Sequence, residues 1–232
     1  MGEKIQRHLS RLAMPKSWKI KRKGIKWVTR PHPGPHSLKL GMPLNVLLRD
    51  VLEYARTTKE VKNILQNQEI LVDGIRRTNH RFLVGLMDVI SIPKTKENFR
   101  ILLNKKGYLI AFPIKNDANI KPSKINGKSI IKKGKLQLNL FDGKNILSDK
   151  KEAKVGDTAI IELPSQKIKQ IIKFEKGATI YLVGGKHIGG TGVIEDIKEN
   201  KISYKSGKDK VETLKKYAFV IGKEKSLIQL QE

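Results

Sequence analysis

Arg7, Arg11, Lys16, Lys19, Lys21, Arg22, Lys23, Lys26 and Arg30 crowd nine cations between positions 7 and 30. Trp18 and Trp27, the only two tryptophans of the chain, lie among them, and His8, His32 and His36 flank them. Lysine and arginine neutralise phosphates, and guanidinium forks meet two phosphate oxygens at once. Indole and imidazole rings offer faces on which unpaired bases stack. The first forty residues hold eleven Lys or Arg against one acid, Glu3, and run through Arg30-Pro31-His32-Pro33-Gly34-Pro35-His36. So basic a segment, with so few contiguous apolar residues, cannot fold around a core of its own. The chemistry it is suited to is holding a polyanion. A structured RNA fits best, since it supplies charge, grooves and bases together. On this reading the arm lies extended until RNA orders it.

A second group of cations follows. Leu44, Leu47, Leu48, Val51, Leu52 and Ala55 fall at helical spacing behind Pro43 and predict a helix. Thr57-Thr58-Lys59-Glu60 reads as a capping box opening another helix, with Val61, Ile64 and Leu65 inward. Burying those stripes leaves Arg49, Arg56, Lys59 and Lys62 on the outer surface, joined by Arg76, Arg77 and Arg81 beyond the Asp73-Gly74 turn. A third feature is Gly184-Gly185-Lys186-His187-Ile188-Gly189-Gly190-Thr191-Gly192. Its glycines permit positive φ and free N–H groups facing a phosphate, with Lys186 and His187 as contacts.

Catalytic patterns are wanting. Gly127-Lys128-Ser129 resembles the end of a P-loop, but the earlier glycine position holds Pro122. Gly190 and Gly192 are followed by Glu195 where a dinucleotide fingerprint needs its third glycine. There is no His-Glu-x-x-His and no Gly-x-Ser-x-Gly. The absence of Cys excludes disulfides, thiolate nucleophiles and sulfur-ligated zinc. The expectation is a protein that is not an enzyme, without metal, cofactor or small-molecule substrate.

These groups sit on a chain of 232 residues with net charge +26. Because the first forty contribute 11 − 1 = +10, the remainder still carries +16, so the excess is not confined to the arm. No apolar run approaches the roughly 18 residues of a membrane span, and no secretory core opens the chain, so no membrane partner and a cytoplasmic location are expected. Five segments are read: 1–41, a basic arm with room for a short helix around Glu3–Leu12; 42–95, a helix-helix-hairpin domain closed by a strand at Val84–Ile92; 96–174, a central β domain; 175–223, a small barrel of the Src-homology-3-like kind; and 224–232, a tail. In the central segment, strands are predicted at Phe99–Leu103, Tyr108–Phe112, Leu136–Leu140 and Thr158–Leu163. In the barrel they fall at Thr179–Val183, Val193–Ile197, Ile202–Lys205 and Tyr217–Ile221. The fold class is α+β, mostly β.

The sequence from His8-Leu9-Ser10-Arg11-Leu12-Ala13-Met14-Pro15-Lys16-Ser17-Trp18 through Trp27-Val28 to Arg30–His36 resembles the opening of the small-subunit ribosomal protein family S4e. Leu48-Arg49-Asp50, Val72-Asp73-Gly74, Arg76-Arg77-Thr78 and Gly85–Ile90 are similar to its S4-type RNA-binding domain. Asp142–Ile146 resembles a central hairpin, and Gly184–Ile194 with Phe219–Gly222 resembles its KOW motif and barrel end. The chain departs from that pattern at Ser10 and Gly190, where basic residues are usual. It departs again after Ile194, where Glu195, Asp196 and Glu199 make the segment more acidic. The resemblance implies a structural constituent of the small ribosomal subunit, on the ribosome and archaeal in type. Such a protein binds small-subunit rRNA, touches neighbouring small-subunit ribosomal proteins and supports subunit assembly and translation. Two rival readings fit parts of the chain: an RNA-modifying enzyme of the pseudouridine-synthase kind, delivered by an S4-type domain, and a KOW-containing transcription factor. The first lacks a pocket-bearing catalytic domain in the sequence, and the second does not account for the arm.

Overall fold

A computed structural model describes residues 8–115, 117–131, 134–148, 153–207, 209–224 and 226–230. By internal contacts the chain forms two compact units: residues 1–101 with 108–113, and residues 102–107 with 114–232.

The first unit opens with a two-residue strand β1 (Leu9–Ser10) that pairs antiparallel with β2 (Trp27–Val28). No α-helix covers residues 8–12, and the rest of the helix expected around Glu3–Leu12 lies outside the described residues. The Ser10 hydroxyl accepts from the Ala13 N–H at 3.3 Å and starts a single 3-10 turn, Arg11–Ala13. Met14 then goes extended ahead of Pro15, as a residue before proline must.

The expectation that the arm stays extended until RNA orders it is corrected here. It builds no core of its own, but Met14, Trp18, Val28 and His36 are buried within the first unit. Trp18 Nε1 donates to Gly41 O at 2.8 Å, the Leu109 N–H donates to Ser17 O at 2.8 Å, and the Ser17 hydroxyl donates to Lys39 O at 2.7 Å. Apolar residues too scattered to meet each other are spaced well enough to meet a neighbour.

Strand β3 (Gly41–Pro43) pairs with β6 (Leu83–Gly85), and between them run α1 (Leu44–Val46), α2 (Thr58–Asn67), β4 (Leu71–Val72) and β5 (Ile75–Arg76). The helix predicted to reach Ala55 is cut short. After α1 the chain widens into a π turn, Leu47–Val51, and Glu53 takes a left-handed φ of 56° while the Tyr54 N–H reaches back to Leu48 O. Every residue from Leu44 to Leu48 is buried, including Asn45, whose amide nitrogen donates to Thr29 and Thr58 hydroxyls. The capping box forms as expected: the Glu60 N–H donates to Thr57 Oγ1 at 3.2 Å, and the Thr57 hydroxyl donates to Glu60 at 2.9 Å.

The strand expected over Val84–Ile92 is broken in two, β6 and β7 (Val89–Ile92), because Met87 turns the chain at φ 68° and its N–H donates to Ile101 O. With β8 (Glu97–Leu103) and β9 (Leu109–Ile114) the sheet order is β5-β4-β7-β8-β9.

The second unit contains two further five-stranded sheets. One has the order β12-β11-β10-β13-β14: β10 (Ile120–Ile130), β11 (Leu136–Leu140), β12 (Asn145–Ser148), β13 (Thr158–Glu162) and β14 (Ile168–Ile172). The other has the order β18-β17-β16-β15-β19: β15 (Thr179–Leu182), β16 (Thr191–Ile197), β17 (Lys201–Ser206), β18 (Asp209–Leu214) and β19 (Ala218–Gly222). Strand β13 lies between two cores and alternates between them. Ala159 and Ile161 join Ile125, Leu138 and Leu140, while Ile160 joins Ile180, Ile194, Ile202 and Val220 of the other sheet. That shared core is why the two sheets count as one unit.

Candidate nucleic-acid interface

Arg11 organises the arm. Its backbone N–H donates to Lys26 O at 2.8 Å, its Nε donates to Ile25 O at 2.7 Å and its Nη1 donates to Lys21 O at 2.6 Å. With the loop carbonyls turned inward on one guanidinium, the side chains of Lys19, Lys21, Arg22, Lys23 and Lys26 are exposed, as is Lys16. Between Glu3 and Asp50 the sequence has no acid, so these cations have no partner nearby in the chain. Trp27 is 50% exposed, its ring centre 5.4 Å from that of His8, and Lys26 Nζ lies 5.0 Å from the Trp27 ring. Lys26 and the rings of Trp27 and His8 therefore meet at the β1–β2 pair.

Three of the expected contact residues have other work, and Arg7 lies outside the described residues. Trp18 is 2% exposed and anchors the arm. His36 is buried, its Nε2 2.9 Å from both Asp88 oxygens, one of which also accepts the Gly85 N–H at 2.9 Å. Arg11 is spent on the loop it holds.

A second cationic region assembles from three parts of the first unit. The His32 N–H donates to Arg81 O at 3.0 Å, which joins the arm to the chain ahead of β6. His80, which the sequence reading passed over, registers the resulting field. Its imidazole is held below the usual range by burial first, then by the charges of Lys62, Arg81 and His32. Arg30, Arg56 and Lys59 are also exposed. Others of this group are partly engaged: Arg49 pairs with Asp50 at 2.8 Å, Arg76 donates to Gln66 O near the end of α2 at 3.0 Å, and Arg77 lies over the Phe82 ring at 4.3 Å.

In the second unit Lys186 and His187 are exposed on the glycine-rich loop. The idea of loop N–H groups free for phosphate is corrected at two of them: the Gly189 N–H donates to Leu182 O and the Gly190 N–H to His187 O. The glycines serve close packing instead. A Cβ on Gly189, at φ 75°, would meet Asn104 O at 2.5 Å, and one on Gly184 would meet the Tyr217 ring at 2.5 Å. Two of the three acids after Ile194 are offset by neighbours, Glu195 by Lys210 and Asp196 by Lys176, each at 2.8 Å. Among the described residues no cluster could hold a metal ion, and no helix is long and apolar enough to cross a membrane.

Small sheets with exposed cations, joined at the β1–β2 pair by two ring faces, make a mostly β protein whose chemistry suits a polyanion. The comparisons give the family. Residues 95–168 match the profile described as Ribosomal family S4e, and residues 1–39 match the RS4NT domain. The chain is 44% identical to the small ribosomal subunit protein eS4 of Methanosphaera stadtmanae over 97% of this chain and 96% of that one. It is 41% identical to the eS4 of Archaeoglobus fulgidus over 96% of both. The crystal structure of 30S ribosomal protein S4e from Thermoplasma acidophilum superposes with a TM-score of 0.70 at 31% identity, over 79% of this chain and 95% of that chain. The chain belongs to the ribosomal protein family S4e.

Proposed function

We propose that this protein is a structural constituent of the small ribosomal subunit that binds small-subunit rRNA and contacts neighbouring ribosomal proteins. The role is architectural, and it places the protein on the ribosome in the service of subunit assembly and translation. The observation that carries the reading is the tie of the arm to the chain before β6, His32 N–H to Arg81 O at 3.0 Å, which gathers exposed cations of the arm with Arg81 beside His80. Holding like charges together costs stability unless an anion offsets them. The exposed arm cations, with Lys186 and His187 of the glycine-rich loop, extend the same chemistry to other surfaces. The full-length likeness to proteins named as small-subunit components agrees with it.

The test is sedimentation of a cell extract through a sucrose gradient, with the protein followed by antibody. It is expected to travel with small subunits and to leave them when salt is raised. Recovery with RNA polymerase, or at the top of the gradient at low salt, would overturn the reading.

A further inference from the structure

The second unit contains a cleft of about 200 Å³ that the sequence did not announce. Its basic residues come from two places in the chain. Lys186 and His187 belong to the glycine-rich loop, and Lys105 belongs to the Asn104–Gly107 turn, which the loop packs against. The closeness is enforced by glycine: a side chain on Gly189 would collide with the Asn104 and Leu103 carbonyls, and one on Gly192 would strike the Tyr204 ring. Leu182, Ile188 and Tyr204 supply the apolar lining, and Thr191 and Ser206 bring hydroxyls. Among the described residues no acidic one lines the cleft. Tyr204 is 1% exposed, and among the described residues its hydroxyl has no hydrogen-bond partner. A buried phenol lacking a partner is an uncommon arrangement, and one that a ligand's polar edge would relieve.

The cleft is smaller than the roughly 300–1,000 Å³ typical of drug-sized ligands, and it joins cations to an apolar wall and hydroxyls. That combination suits one nucleotide out of its stack: phosphate to the cations, base to the wall, sugar or base edge to the hydroxyls. We propose that this cleft receives a single unpaired nucleotide of a bound RNA. Its phosphate rests on Lys105, Lys186 and His187, and its base lies against Ile188 and Tyr204. The inference rests on the RNA binding proposed above and adds a preference for unpaired over paired RNA at this one surface.

The test uses the full-length protein and two RNAs of equal length carrying one 4-thiouridine, one single-stranded and one fully paired. Ultraviolet crosslinking with peptide mass spectrometry is expected to place the single-stranded RNA on peptides containing residues 186–191 or 204–206, and the duplex on neither. Thr191→Trp, which fills the cleft from an exposed strand position, is expected to lower that crosslink at least about fivefold, the lower end of what one held base contributes. Lys105→Glu, on an exposed turn outside the barrel strands, is expected to do the same and guards against a folding defect in the first variant. Crosslinks elsewhere only, equal crosslinking of the duplex, or displacement by inorganic phosphate as readily as by RNA would overturn the proposal. Binding to small-subunit rRNA with the cleft peptides unlabelled sinks this inference alone. No binding of rRNA at all sinks the function proposed above.

Discussion

Trp18 and Trp27 share a side chain and little of its use. Trp18 is buried, with its indole nitrogen tied to Gly41, whereas half of Trp27 faces solvent beside His8 and Lys26. Trp18→Ala is therefore expected to cost about 3–5 kcal/mol of stability, read as a lowered denaturation midpoint. Trp27→Ala is expected to leave that midpoint nearly unchanged and to weaken RNA binding by about 1–3 kcal/mol, the range for one lost stacking face. A titration in which the two variants exchanged these effects would refute the assignment. Nothing local in the sequence separates the two, since both sit among lysines. What distinguishes Trp18 is Gly41 and the Ser17 bond to Leu109, partners that only the folded chain brings near. The same holds for His36, whose Asp88 partner is as remote in sequence.

At the level of elements, hairpins and caps were legible, and β10 was not. The Asp73-Gly74 turn and the Thr57–Glu60 box advertise themselves through residue types that favour a single local geometry. Strand β10 has apolar residues only at Ile120, Ile125 and Ile130, with Pro122 and three lysines between, and so lacks the alternation of a strand. Two of those lysines, Lys121 and Lys124, are nonetheless drawn inward. Lys121 is buried against Asp142 at 3.0 Å, and Lys124 Nζ donates to Ala218 O at 2.8 Å and Lys216 O at 3.2 Å, binding β10 to the start of β19. Burial first, and then the charge of Lys215, lowers the Lys124 pKa from 10.5 to about 8. Between those values the unfolded chain holds the extra proton, so this group makes stability rise with pH from about 8 toward 10. Above that, Tyr54, pushed up to about 12 by burial and by its bond to Glu97, acts in the opposite direction. Chemical denaturation at pH 8, 9 and 10 is expected to show the rise in the wild type. Lys124→Met is expected to flatten it and, by leaving carbonyls without a donor, to cost about 1–3 kcal/mol.

On the scale of the whole molecule, charge is what the sequence states most openly, and it carries the class of partner. A net +26 has to be offset by something anionic, and the excess is spread over both compact units. Affinity for rRNA is expected to fall with salt, log K against log salt sloping by about −0.7 to −0.9 for each phosphate neutralised. Replacing Arg22, Lys23 and Lys26 together by Ala is expected to weaken binding across RNA sequences and to make that slope shallower by about two to three. Filter binding from 50 to 300 mM salt (roughly the range over which such contacts are lost) reads both. An unchanged slope in the triple variant would remove the loop from the interface. What charge did not disclose is distribution: Lys105 is an ordinary turn lysine until the glycine-rich loop is laid against it.

The pinning of the arm by Trp18, Ser17 and His36, and the hold of Arg11 on its own loop, decide which partner must yield when the two meet. A leader already fixed in shape forfeits little disorder on docking and cannot mould itself to whatever it touches. On the function proposed above, the adaptation falls to the nucleic acid, which has to present its phosphates in the arrangement the protein has set in advance.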